Sequence, residues 1–382
     1  MVKKKKGSMK KKSAAKRKAS TTKRAPAKRK APKKKAPASK KVAAAKKRSP
    51  LVKKADSTSR KKNVLITGVT GTVGSRLAEA LYYDKNVGVI MGVALGAKPY
   101  YFNQFDTNRF RYKNLNILKQ RDLTNLFLAS DFKEAKINTV VHLAFLNRVV
   151  SASKEKKSFN TLNVEGTRDL LEKCIESGSV TKFIFKSSDV VYKIRPHNPI
   201  YLDENADLNF DTDVDPWIKD RVDADMICQS KLDNRNTNIV ILRFSNIIGR
   251  MVSSQMNAFF DSPLNFRALG FNPLINLIHM EDVIQAIHLA IRKNVKGIYN
   301  IAGADTAPIS TFAEINRSRM ISLPESLLRP SNALLRMMGL TRYYYSVDQD
   351  RLKYSVLLDT SKARKSLGFR PRSHVYFERG VA

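Results

Sequence analysis

The body of this 382-residue sequence predicts an α/β fold: a doubly wound, mostly parallel sheet with helices on both faces and a smaller C-terminal lobe. Three observations predict it. Short apolar runs of strand length alternate with helical stretches along residues 63–382. The first of these runs ends in a glycine-spaced turn that opens directly into a helix. Only 2 cysteines occur, Cys174 and Cys228, so neither a disulfide framework nor a cysteine-rich zinc site can organise the chain; both are expected as buried thiols, and no metal is expected.

The elements follow in order. Asn63-Val64-Leu65-Ile66 reads as a buried parallel strand, and Thr67-Gly68-Val69-Thr70-Gly71-Thr72-Val73-Gly74 follows it into a helix from Ser75 to Leu81. Strand, glycine turn and helix set a pyrophosphate on a helix N-terminus: Gly68 allows the tight turn, Gly71 lets the backbone approach the phosphates, and Gly74 permits close helix packing. Thr70 and Val73 lie between those glycines in the same candidate cofactor loop. By itself the spacing is also compatible with a simple turn. Further strands are expected at Val87 to Ala94, Ile137 to Ala144, Lys182 to Ser187 and Asn238 to Phe244.

A series of short motifs follows the glycine loop. They are Arg121-Asp122-Leu123, Val141-His142-Leu143-Ala144, Asn163-Val164-Glu165-Gly166-Thr167, Ser187-Ser188 with Tyr192, and Leu242-Arg243-Phe244-Ser245-Asn246 with Gly249. Ile278-His279-Met280-Glu281-Asp282-Val283 and Leu358-Asp359-Thr360-Ser361-Lys362-Ala363 with Leu367-Gly368-Phe369-Arg370-Pro371 complete it. In this order they resemble the extended short-chain dehydrogenase/reductases, the NAD-dependent epimerase/dehydratase family, over nearly all of residues 63–382. The resemblance implies a seven-stranded Rossmann sheet built from about 63–250 and 276–304, with a substrate lobe from about 251–275 and 305–382. It implies NAD(P) as cofactor, with Asp122 and Leu123 near the adenine and Leu143, Ala144 and Asn163 along the cofactor. Ser188 takes the catalytic serine position. Dimerisation through two long helices is a further expectation of the resemblance. Asp122 also has the simpler reading of a helix cap, and His142 that of a packed polar residue.

The sequence departs from the family where proton transfer belongs. There, a tyrosine and a lysine one helical turn apart move the proton and hold the nicotinamide ribose. None of the 13 tyrosines has a lysine four residues on. In Asp215-Pro216-Trp217-Ile218-Lys219-Asp220-Arg221, Trp217 falls in the tyrosine position and Arg221 in the lysine position. An indole N–H does not titrate in the useful range, whereas Arg221 keeps a charge able to hold ribose hydroxyls. Asp189, Tyr192, Lys186 and Lys219 are close enough in sequence to substitute, though each also has an ordinary packing or surface role. At the end of the second strand Ala94 stands where NAD-preferring members carry an acid, and Lys98 follows, which permits NADP. Phe259, Phe260, Trp217 and Tyr343 to Tyr345 are expected to fill the lobe's core or line its cleft.

Charge separates the two ends of the chain. Residues 1–62 hold 28 Lys or Arg against one acid, Asp56, out of 71 basic and 33 acidic residues overall. This segment contains no Phe, Trp or Tyr. It cannot bury enough apolar surface to offset a backbone entropy of roughly 1–2 kcal/mol per residue, so it is expected to be disordered when alone. Its composition resembles linker-histone tails and the Lys/Ala/Pro-rich arms of bacterial chromosome-binding proteins. Duplex nucleic acid or another polyanion is the partner this implies; an acidic membrane surface and a merely solubilising tail are the alternatives. Without aromatics it lacks the stacking platforms of a single-strand reader. No apolar run reaches the roughly 18–20 residues of a membrane span, and no apolar signal core follows the first lysines. A cytoplasmic location is expected, with nucleoid or chromatin association through the tail.

Overall fold

A computed structural model describes residues 61–145, 161–249, 251–345 and 349–375. The expectations for the basic tail fall on residues outside that set, apart from Lys61 and Lys62. Lys62 already pairs in the first strand, so the folded body begins slightly before the predicted boundary.

The first half alternates as expected. β1 (Lys62–Thr67) leads to α1 (Thr72–Tyr83), β2 (Val87–Ala94), β3 (Phe110–Asn114), α2 (Gln120–Leu128), α3 (Ser130–Glu134) and β4 (Thr139–His142). α4 (Gly166–Glu176), β5 (Lys182–Ser188), the short β6 (Tyr201–Leu202), α5 (Pro216–Gln229), β7 (Asn238–Phe244) and β8 (Asn246–Ile248) follow. The C-terminal part comprises α6 (Gln255–Phe260), β9 (Leu264–Ala268), β10 (Leu274–His279), α7 (Met280–Arg292), β11 (Gly297–Ile301), β12 (Asp305–Pro308), α8 (Ile309–Ile315), β13 (Arg319–Leu323), α9 (Glu325–Met337) and β14 (Leu357–Leu358).

Seven strands form one sheet in the order β11-β7-β5-β4-β1-β2-β3, every pair parallel. The chain reverses its direction of travel across the sheet between β1 and β4. Ligands of open α/β sheets bind at such a switch point, beyond the C-terminal ends of the strands. Strand alternation divides the core between the two faces. Val64, Ile66, Ile184, Val240 and Leu242 pack on the α1 and α7 side, whereas Leu65, Phe183, Phe185, Ile239 and Ile241 pack on the α4 and α5 side. Because both faces are covered, the strands read as continuous apolar runs.

One polar residue in these runs has a structural task. Lys182 reaches across to the C-terminus of α7, where its ammonium donates to the carbonyls of Ala290 (2.8 Å) and Ile291 (3.4 Å) and also to that of Lys293. It supplies the positive charge favoured at a helix C-terminus. Burial pulls its pKa down to about 8.

The lobe packs a separate apolar cluster around Phe259, Phe260, Phe312, Tyr343 and Tyr345. These aromatics are therefore core. Trp217 differs: it belongs to α5, beside the main sheet. Within the segment assigned to the lobe, Ala363, Leu367 and Phe369 insert into the main-sheet cluster beside α7, while Val375 packs back against the lobe cluster. Asp282 in the first turn of α7 fixes this return, accepting hydrogen bonds from the backbone N–H groups of Arg372 (3.0 Å) and Ser373 (3.1 Å). Among the described residues no helix is long and apolar enough to cross a membrane, and no cluster of potential metal ligands occurs.

Candidate functional site

The glycine loop is held by contacts that require its glycines. Gly68 has φ +69°, and a Cβ there would lie 2.8 Å from the backbone of Ala144, at the end of the neighbouring strand. At Gly74 a Cβ would come within 2.3 Å of the Gly68 carbonyl oxygen. Gly71 is the N-cap of α1, which carries no side-chain cap and no acid in its first turn. Its leading amides are thus left to a ligand, at the positive end of a helix dipole. Thr70 lies in this loop, while Gly71, Thr72 and Val73 line the adjoining cleft.

A buried hydrogen-bond chain locks the end of β4 beside this loop. Thr167 Oγ1 donates to the Asn163 carbonyl (2.6 Å), so it accepts from His142 Nε2–H (3.0 Å). His142 Nδ1 then accepts from Thr67 Oγ1 (2.7 Å), whose oxygen receives the N–H groups of Leu143 and Ala144. This assignment follows from the donor and acceptor count around each atom. Burial drives the His142 pKa down to about 3, so the ring is a neutral strut. Asn163 is fully buried, and its carbonyl belongs to this chain.

Beyond the strand ends lies a cleft of about 290 Å³. Gly71, Thr72, Val73 and Leu143 line it on the cofactor-loop side, Lys186, Ser188, Trp217 and Arg221 across from them, and Ser245 with Gln255 toward the lobe. No Asp or Glu lines it among the described residues. A larger groove of about 950 Å³ opens at the opposite edge, where β1, β4 and β5 begin, and gathers Lys61, Lys62, Lys133, Lys136 and Lys173. The smaller cleft is the candidate site, because it holds the glycine loop and lies at the strand ends where α/β ligands bind.

Trp217 and Arg221 sit one turn apart on α5, whose start is fixed by Asp215: its carboxylate accepts the Trp217 N–H (3.0 Å), with Pro216 at the first helical position. The Arg221 guanidinium lies 4.3 Å from the Trp217 ring centroid and 4.4 Å from that of Phe145. Burial lowers its pKa to about 10, against the opposing pull of Asp189 and Asp220, so it stays charged at neutral pH. Four buried polar atoms of cleft-lining residues lack a hydrogen-bond partner among the described residues: Trp217 Nε1, Arg221 Nε, Ser245 Oγ and Gln255 Nε2. Orphan polar atoms are costly when buried, and all four belong to residues that line this one cleft, which fits a polar ligand. The free amides of α1 suit a diphosphate, and the Arg221 charge suits ribose hydroxyls or an anion. These residues fit a dinucleotide cofactor.

Ser188 presents its hydroxyl at the cleft and donates to Asp189 Oδ1 (3.1 Å), whose other oxygen pairs with Arg351 Nη1 (2.9 Å). Ser187 faces the opposite side of β5 and donates to Asp225, which is bound by both ends of the Arg243 guanidinium. Arg243 also donates to Tyr192 Oη (3.0 Å), and burial raises that phenol to about 12. Lys219 is exposed. Lys186 is half-buried and lines the cleft, where desolvation first and the Arg221 charge second bring its pKa down to about 7.

Some predicted site residues lie apart from the cleft. Asp122 is half-buried in the first turn of α2, whose N-cap is Lys119, so the simpler reading of Asp122 as the cap does not hold. Leu123 is fully buried, its side chain in the core. Ala94 closes β2 and accepts the Leu115 N–H, with no carboxylate in its place. Sequence reasoning missed Phe145, although it directly follows the His-Leu-Ala run, and Gln255, for which the sequence offers no signal.

Several known proteins resemble this chain. An uncharacterized protein of Mycobacterium tuberculosis is 25% identical over 318 residues, 81% of this chain and 80% of that protein. The dTDP-D-glucose 4,6-dehydratase of Dictyostelium discoideum is 26% identical over 264 residues, 63% of this chain and 58% of its own length. Among solved structures, the UDP-glucose 4-epimerase of Thermotoga maritima, bound to UDP-glucose, superposes with a TM-score of 0.61 at 18% identity, over 84% of this chain and 96% of that one. The UDP-glucuronic acid 4-epimerase of Bacillus cereus in complex with NAD gives 0.59 at 20% identity, over 81% and 94%. At these identities the superpositions establish the fold. The model of the NAD dependent epimerase/dehydratase family matches residues 64–302, and with that match the chain belongs to this family.

Proposed function

We propose that this protein binds NAD(P) and acts on a sugar-like or other carbonyl substrate, as an epimerase, dehydratase or reductase in which Trp217 and Arg221 replace the family's tyrosine and lysine. The observation that carries the proposal is that the start of α1, Ser188, Arg221 and the residues of four orphan polar atoms line one acid-free cleft. A bound nicotinamide would supply hydride transfer at a substrate carbon. Ser188 would polarise the reacting carbonyl by turning its hydroxyl hydrogen to it from Asp189, and Arg221 would hold ribose hydroxyls from its seat between two aromatic rings. The Trp217 N–H has no partner among the described residues, so it would be open to a ligand acceptor, but an indole moves no proton. The absence of a carboxylate at Ala94 leaves room for a 2′-phosphate, so NADP is included. The sugar-nucleotide names of the relatives support a nucleotide-linked sugar as the first substrate class to assay.

The loss of the tyrosine supports a second reading: a non-catalytic NAD(P)-binding scaffold or sensor, tethered to nucleic acid by residues 1–62. One experiment separates the two. NADH and NADPH are titrated by fluorescence, and the parent is assayed beside Ser188→Ala and the double variant Trp217→Tyr with Arg221→Lys. Turnover in the parent that Ser188→Ala abolishes supports the enzyme. Binding without turnover, with activity arising only in the double variant, supports the scaffold. No binding of either nucleotide refutes both.

A further inference from the structure

Four side chains near Ser188 or Trp217 in sequence could carry a proton in the tyrosine's stead, and three are committed elsewhere. Tyr192 is buried between Arg243 and Asn300, Asp189 is held by Arg351, and Lys219 is exposed on α5. The fourth, Lys186, precedes Ser188 by two residues on β5, so strand alternation puts both on one face, and both line the cleft. We propose that Lys186 is the group that moves the substrate hydroxyl's proton, a role that rests on the nicotinamide-binding reading above.

The surroundings suit an amine that must be neutral to act. Across the cleft, Gly71, Thr72 and Val73 bring no charge, and from the lobe side neither do Ser253, Ser254 and Gln255. On α5 the facing charge is Arg221, of like sign. Asp189 is turned to Arg351 and Ser188, and Asp225 serves Arg243 and Ser187 from the other face of the strand. Among the described residues no carboxylate pairs with the Lys186 ammonium. Burial and the neighbouring guanidinium place its pKa near 7, where a proton carrier is most effective at neutral pH. In the oxidising direction the neutral Nζ takes the proton of a hydroxyl positioned by Ser188 and becomes an ammonium. A bound oxidised nicotinamide would take the hydride that the carbon releases as the oxygen's electron pair closes the carbonyl, and reduction would return both.

The first test reads the amine itself, in the full-length chain. Lys186 is acetylated with trace acetic anhydride across about pH 5 to about 10, its peptide quantified by mass spectrometry against that of Lys219, with and without NADH. The expected result is half-maximal reactivity near pH 7 and at least tenfold protection by saturating NADH. Reactivity that rises only in the ordinary lysine range near 10.4 overturns the proposal, as does undiminished labelling while fluorescence reports bound NADH. Absence of NADH binding instead defeats the cofactor reading on which it rests. A second test uses UDP-glucose as the alcohol probe. Where it reduces NAD in the wild type, the rate should rise with pH through 7, and Lys186→Met and Lys186→Arg should lose roughly a hundredfold or more with NADH affinity retained. Turnover undiminished in Lys186→Met overturns the proposal.

Discussion

His142 shows how much one buried ring can weigh on the stability of this protein. Its pKa of about 3 lies below the ordinary 6.5, so the folded state favours the neutral ring. The linkage has a definite sign: the contribution is complete above pH 6.5 and is lost as pH falls toward 3, because the unfolded chain takes up a proton that the folded one refuses. The slope is roughly 1.4 kcal/mol per pH unit. Urea unfolding at about pH 7 and about pH 4.5 should show wild type losing more stability between the two than His142→Gln, and equal losses would contradict the strut role. At this scale the sequence was most readable where the cause is local. The need for glycine at Gly68 and Gly74 follows from a turn between strand and helix, and the four-residue spacing of Trp217 and Arg221 follows from helix geometry. Gln255 was unreadable as a site group, because only packing between lobe and sheet brings it to the cleft.

Among elements, α5 is tied to the sheet by a buried ion pair rather than by apolar contact alone. Asp225 and Arg243 are 0% and 1% exposed, and their charge is shared out to Ser187, Gln229 and Tyr192. Removing one partner of such a pair leaves the other charge uncompensated, at a cost of about 3–5 kcal/mol. Asp225→Asn should lower stability by that order in denaturant melts, and a loss within about 0.5 kcal/mol would show that the network carries little weight. The double variant Asp225→Leu with Arg243→Met should recover much of the loss, since no buried charge remains. The strands of the sheet centre were legible because burial on both faces forces unbroken apolar runs. β3, Phe-Arg-Tyr-Lys-Asn, was not, since this edge strand buries only its first residue fully. α9 carries Pro330 in its interior, a residue that argues against a helix on sequence grounds.

For the whole molecule the dominant asymmetry is electrostatic, and the sequence displays it without any structure. If the 28 Lys and Arg of residues 1–62 serve to neutralise phosphates, duplex DNA binding should weaken by about 0.9 log units per contact for each tenfold rise in salt. A chain starting at Lys61 should keep the thermal melt of the full protein yet lose that binding and its slope. Equal binding by the two chains would refute the nucleic-acid role. The body's architecture was legible as a class from its alternation of elements; the return of Ala363, Leu367 and Phe369 to the main sheet was not, because no local pattern records which cluster a late segment will join.

That return sets a timetable. Asp282 leaves the ribosome 90 residues ahead of the Arg372 amide that satisfies its carboxylate. At roughly 5–20 residues per second, several seconds of synthesis separate the two. During that interval α7 presents a carboxylate without its destined partner, and the seat for Leu367 and Phe369 stays open. The nascent body is therefore sealed by a stretch made after every strand of the main sheet, and translation speed between Asp282 and Arg372 bears on how long the unfinished surface meets the cell.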